Sequence, residues 1–234
     1  TVKRAFRYDQ ASALAVVQAQ QVLPEIRVDQ AAASLSIADE RIVLSTRMQV
    51  DVSKAGVFSL RLDIPRDFDI ETLTGEDVSH WDEVDAKGER VVIHFKNQVL
   101  GTRALNLVIA RMEKGIGETI AVPRITVIGA RKHTGTLLVQ GERGVRMTAV
   151  DREGVSELSA ERDLNIRQQG ALAFRLLRPE WRVVLKTETI APLVRPEIFH
   201  RVDLTEGILR GRVRIRYTIE NAGSKTFFLK APAP

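Results

Sequence analysis

Four consecutive residues, Ser79-His80-Trp81-Asp82, place a hydroxyl, an imidazole, an indole and a carboxylate side by side, the densest polar and aromatic cluster in the chain. A nucleophilic triad needs its hydroxyl, imidazole and acid to converge in space. Neighbours on a strand point alternately to opposite faces, so these residues are not themselves a triad. The chemistry open to them is recognition. An exposed Trp81 flanked by His80 and Asp82 would form a sugar platform, whereas a Trp81 packed in the core or at a sheet rim would leave only a wet His80.

The remaining reactive types are sparse. There is no cysteine, which removes disulfides, thiolate nucleophiles and cysteine-ligated zinc. The four histidines, His80, His94, His133 and His200, never stand at i,i+2 or i,i+4. Strand and helix metal sites favour those spacings, so the sequence predicts no metal and no cofactor. Gly115-Ile116-Gly117 and Gly141-Glu142-Arg143-Gly144 lack the Gly-Lys-Ser/Thr ending of a phosphate loop and read as turns. Asp67, Asp69 and Glu71 alternate without a calcium-loop signature. Aromatic residues are 5% of the chain, too few for base-stacking platforms, so no nucleic-acid partner is expected. Arg210, Arg212, Arg214 and Arg216 line one face of an alternating segment and form a candidate anion-binding face. No catalytic residue is assigned.

The segments that must position these groups are strand-like. Thr46, Met48, Val50 and Val52 alternate with Arg47, Gln49, Asp51 and Ser53, and Phe58, Leu60, Leu62 and Ile64 resume the alternation before Pro65. Lys54-Ala55-Gly56 lies between, and this predicts a β-hairpin over 42–65. A strand or short helix is expected over 13–22. Val91, Ile93 and Phe95 make one strand face, and Leu105, Leu107 and Ile109 another. The alternation predicts that Phe58, Leu60, Leu62, Val91, Ile93 and Phe95 are buried together. Short strands follow over 118–130, 136–139, 145–150 and 155–158, separated by turn residues. No long 3.6-residue period and no transmembrane-length apolar run occurs. At 234 residues, with 44% hydrophobic and 28% charged residues and a net charge of +5, the chain can bury a real core.

Residues 209–232 echo 42–65. With a shift of 167, Val213, Ile215, Tyr217 and Ile219 fall on Thr46, Met48, Val50 and Val52, Ala222-Gly223 on Ala55-Gly56, and Pro232 on Pro65. With a shift of 168, Ala5, Phe6, Arg7, Val16, Pro24 and Arg27 recur as Ala173, Phe174, Arg175, Val184, Pro192 and Arg195. This ordered pair of blocks reads as an internal repeat of about 170 residues whose second copy stops at Pro234. The chain, opening on Thr1, reads as a piece of a longer protein.

The Ala5-Phe6-Arg7 opening, the stretch 55–65, the spacing of Gly75, Val78 and Trp81, and the later run of Arg131 or Lys132, Gly135, Leu137 and Val139 resemble the repeated β-rich modules of large, uncharacterised, exported or membrane-anchored bacterial proteins. That resemblance implies an extracytoplasmic location, at the periplasm or cell surface, and a scaffold rather than an enzyme. Composition, pattern and resemblance together predict an all-β protein of antiparallel β-sandwich modules, divided into 1–130 and 131–234. The expected function is a non-catalytic structural or interaction scaffold of a cell-envelope protein, with a carbohydrate-binding or accessory β-sandwich domain of a glycan-active enzyme as the alternative. The expected partners are neighbouring repeats or other envelope proteins and anionic polysaccharide.

Overall fold

The computed structural model describes residues 7, 20–38, 40–86, 89–112, 118–142, 144–168, 170–224 and 226–230. In chain order the strands are β1 (Glu25–Ile37), β2 (Arg41–Asp63), β3 (Asp69–Gly75), β4 (Val78–Ala86), β5 (Glu89–Met112), β6 (Thr119–Ala121), β7 (Thr126–Val127), β8 (Ala130–Gly141), β9 (Val145–Glu153) and β10 (Val155–Leu158). The short helix α1 (Ala160–Leu164) follows, then β11 (Leu172–Leu176), β12 (Arg182–Thr189), β13 (Leu193–Thr205) and β14 (Ile208–Glu220). The all-β expectation agrees with this content. The stretch 13–19 and the Ala5-Phe6 pair lie outside the described residues, as do Gly115-Ile116-Gly117 and Arg143.

Two long strands carry the main sheet. β2 runs 23 residues and β5 runs 24, and they pair antiparallel from Arg41↔Met112 to Leu62↔Val91. On its other edge β5 pairs first with β4 and then with β3. β2 pairs there with β1 and then with β7. The sheet continues through β8, β11 and β10. One ladder is parallel, β1 with β8, so the sheet is mixed rather than purely antiparallel. Residue 130 opens β8, so the stretches 1–130 and 131–234 share this sheet.

The stretch 42–65 is a single strand and not the expected hairpin. Lys54 does take a left-handed backbone, φ 66°, but the chain continues forward and the ladder to β5 skips from Val52 to Val57. Lys54 is held there by Glu25, whose carboxylate lies 2.7 Å from the Lys54 Nζ and 2.7 Å from the Arg27 guanidinium. Hydrogen bonds from Lys54 and then Arg27 bring the Glu25 carboxyl down to about 2, although burial opposes the charge. Gly56 passes close to β5, where an added Cβ would lie 2.7 Å from the Gln98 side chain.

The alternation does set burial along most of β2. Ile42, Leu44, Met48, Val50 and Val52 are at most 2% exposed, while Ser45, Arg47 and Gln49 face out. Each such apolar side chain contributes roughly 1.5–3 kcal/mol by leaving water. Leu60, Leu62, Val91, Ile93 and Phe95 are buried as expected, but Phe58 is 63% exposed. It lies where the register jumps from Val57↔Val99 to Ser59↔His94, and the disrupted ladder offers its ring no packed neighbour strand.

A three-stranded sheet, β6-β12-β9, contributes Ile120, Met147, Val183 and Leu185 to the same apolar cluster as the main sheet. Pro123 falls between β6 and β7, consistent with its missing N–H. β13 and β14 form a separate two-stranded sheet. No helix among the described residues is long and apolar enough to cross a membrane.

Candidate metal site

β4 pairs antiparallel with the first half of β5, from Val78↔Phe95 to Ala86↔Glu89, and this register makes His80 and His94 direct cross-strand partners. Directly opposed residues share a sheet face. Their imidazoles stack with ring centroids 4.7 Å apart and planes 9° from parallel. Asp82, two residues beyond His80, presents its carboxylate on the same side. Its Oδ2 lies 3.2 Å from the His94 Nε2 and 3.7 Å from the His80 Nε2. One ligand atom from each of the three residues falls within 4.8 Å of the other two. The His80 Nδ1 lies 3.2 Å from the Ser79 Oγ, which orients the ring from behind.

Two imidazole nitrogens and one carboxylate oxygen form a borderline-soft donor set that suits Zn²⁺, Cu²⁺ or Ni²⁺ better than Ca²⁺ or Mg²⁺. A metal–nitrogen bond is about 2.0–2.1 Å and lies in the imidazole plane, so an ion held by both rings would sit at their Nε2 rim beside the Asp82 carboxylate, and both side chains would have to rotate toward it. They are free to do so, because the His80 and Asp82 side chains are each 60% exposed and that of His94 is 39% exposed. With three protein ligands, at least one coordination position stays open to solvent.

Trp81 does not belong to this face. It pairs with Ile93 and packs, half-buried, against the apolar core. The sugar platform expected of Trp81, His80 and Asp82 is therefore corrected: strand alternation sends the indole inward and the two polar groups outward. The expected absence of a metal site rested on spacing along one strand, whereas the fold brings these three side chains together across two.

The other candidate residues lie elsewhere. Arg210, Arg212, Arg214 and Arg216 do share one exposed face of β14. Across the ladder they meet Asp203, Arg201, Phe199 and Glu197, and the Arg216 guanidinium lies 3.9 Å from Glu197. His200 is on exposed β13, and His133 is buried in β8, 3% exposed. Burial, and secondarily the charge of Arg124, lowers the His133 pKa and favours the neutral ring.

No family model matches the chain, and no curated protein matches it. Among solved structures, it is similar to an M1 zinc metallopeptidase from Deinococcus radiodurans at 10% identity and a TM-score of 0.43, covering 85% of this chain and 48% of that one. A mutant of that peptidase bound to a Tyr-Ser-Ala substrate gives 10% identity and 0.43, covering 89% and 50%. Leukotriene A4 hydrolase from Saccharomyces cerevisiae gives 16% identity and 0.42, covering 70% and 29%. The chain thus spans half the length of these proteins or less. These neighbours are named as enzymes, and neither the expected non-catalytic scaffold nor its carbohydrate-binding alternative is carried further. At these values the likeness brings no activity, substrate or site to this chain.

Proposed function

We propose that the domain binds one divalent transition-metal ion through His80, Asp82 and His94. The observation that carries this reading is the convergence of two Nε2 atoms on one carboxylate oxygen across the β4–β5 pair. The chemistry of the set argues the same way: neutral imidazole is a good ligand for zinc, copper and nickel, and the carboxylate offsets part of the ion's charge. Ser79 acts behind the ligands as a positioning residue for His80, in the manner of the outer hydrogen bonds that orient metal-bound histidines. The open face leaves room for solvent or a second molecule's ligand on the ion.

Isothermal titration of Zn²⁺ or Cu²⁺ into the protein tests the reading. The expected result is one site per chain, lost in His94→Ala and His80→Ala, weakened in Asp82→Asn, and retained in His200→Ala. Equal binding by wild type and His94→Ala would overturn the assignment.

A further inference from the structure

The β13–β14 hairpin is amphipathic, and among the described residues no strand covers either of its outer edges. Ile198, Val202, Leu204, Leu209, Val213 and Ile219 lie on one face, each between 38% and 73% exposed, opposite the face of Arg210–Arg216. An exposed apolar patch of this kind marks an interaction site. Among the described residues β13 and β14 pair only with each other. A lone two-stranded hairpin is marginal in water.

This hairpin repeats β1–β2 in register. Leu193↔Glu220 and Val194↔Ile219 reproduce Glu25↔Ser53 and Ile26↔Val52 under the shifts of 168 and 167. Past the β1 irregularity between Val28 and Gln30, Ile198↔Ile215 reproduces Ala31↔Met48, and Leu204↔Leu209 reproduces Ile37↔Ile42. The change of shift therefore falls at Asp29. Asn221, with φ 71°, precedes Ala222-Gly223 as Lys54, with φ 66°, precedes Ala55-Gly56. Val202, Leu204, Leu209 and Ile215 stand where Leu35, Ile37, Ile42 and Met48 stand in the first hairpin, and those four are at most 1% exposed. There, β5 lies along the other edge of β2 and β8 along the other edge of β1.

We propose that β13–β14 is the opening hairpin of a second copy of this fold, and that the open edge of β14 receives a β5-type strand, apolar on one face and acidic on the other, from a second domain of the same fold. The same repeated block is divided between two units. Its β11 and β12 complete the first unit, pairing with β8 and β10 and with β9 and β6, while its hairpin is left outside. The arginines specify the acidic face. In the first copy Val43, Ser45, Arg47 and Gln49 oppose Ala110, Val108, Asn106 and Ala104 of β5. The corresponding positions of β14 are Arg210, Arg212, Arg214 and Arg216, so Asp or Glu on the incoming strand would form cross-strand ion pairs.

The test uses the whole protein and a synthetic peptide of residues 99–112 carrying Ala104→Glu, Asn106→Asp, Val108→Glu and Ala110→Glu. Saturable binding that slows amide exchange across 208–219 is expected. A peptide with lysine at the same four positions should bind about tenfold more weakly or less, because like charges then face each other. Val213→Asp, at an exposed position, should weaken the acidic peptide similarly without unfolding the protein. Failure to protect 208–219, or equal binding of acidic and basic peptides, would overturn the proposal. So would a protein that self-associates with 208–219 already protected, since the occupant would then be another copy of this chain's own hairpin.

Discussion

Gly135→Ala probes the parallel contact between β1 and β8, on which the extension of the main sheet depends. Gly135 pairs with Ala31, and a Cβ at 135 would lie 1.9 Å from the Ala31 carbonyl oxygen and 2.7 Å from its carbonyl carbon. Opening that gap even to 3.0 Å moves backbone by about 1.1 Å, because no flexible side chain is there to yield. β1 is held on its far edge by β2, and β8 by β11. The substitution should therefore cost at least the roughly 1–3 kcal/mol typical of an overpacked core. For a chain of this size, that lowers the thermal midpoint by roughly 2–12 °C. Scanning calorimetry or urea unfolding measures it directly. Gly211→Ala is the matched control, since nothing lies within 4 Å of a Cβ there. Equal midpoints for the two variants would refute the β1–β8 pairing.

Other consequences are as direct. Phe174→Ala should cost about 3–5 kcal/mol in urea unfolding, because the ring is fully buried; Phe58→Ala should fall within about 0.5 kcal/mol of wild type, since its ring is largely exposed. The Glu25 carboxylate has a lowered pKa, so its stabilisation is complete above the usual 4.5 and is lost as pH falls through about 2; Glu25→Gln should flatten the stability profile over that window. Burial lowers the His133 pKa in the fold, so stability falls as pH drops below the usual 6.5 of the unfolded chain, and His133→Leu should remove that component whatever its effect on absolute stability.

Local pattern carried the strands well and their connections poorly. The alternation from Thr46 to Val52 foretold which side chains of β2 are buried, because burial on one face is all that alternation records. Lys54-Ala55-Gly56 was ambiguous, since a reversal and a forward bulge both use a left-handed residue beside a glycine. What decides between them is distant: Glu25 pinning Lys54, and β5 continuing past the irregularity. Phe58 obeyed the alternation yet lost its partner at the register jump. The parallel β1–β8 ladder has no local sequence signal. Spacing along one strand hid the His80–Asp82–His94 cluster, but the turn-forming residue types of Ala86-Lys87-Gly88 in the sequence held the missing clue, because His80 and His94 are equidistant from Lys87. Testing histidines for symmetry about expected turns would have found the pair.

Electron paramagnetic resonance of the Cu²⁺-loaded protein tests the metal assignment most directly, because coupling to ¹⁴N counts the bound imidazoles. The geometry of β4 and β5 predicts two equivalent nitrogens in the wild-type spectrum, one in His94→Ala or His80→Ala, and two in His200→Ala. A wild-type spectrum without nitrogen coupling, or one unchanged by loss of His94, would contradict a site built from His80, Asp82 and His94.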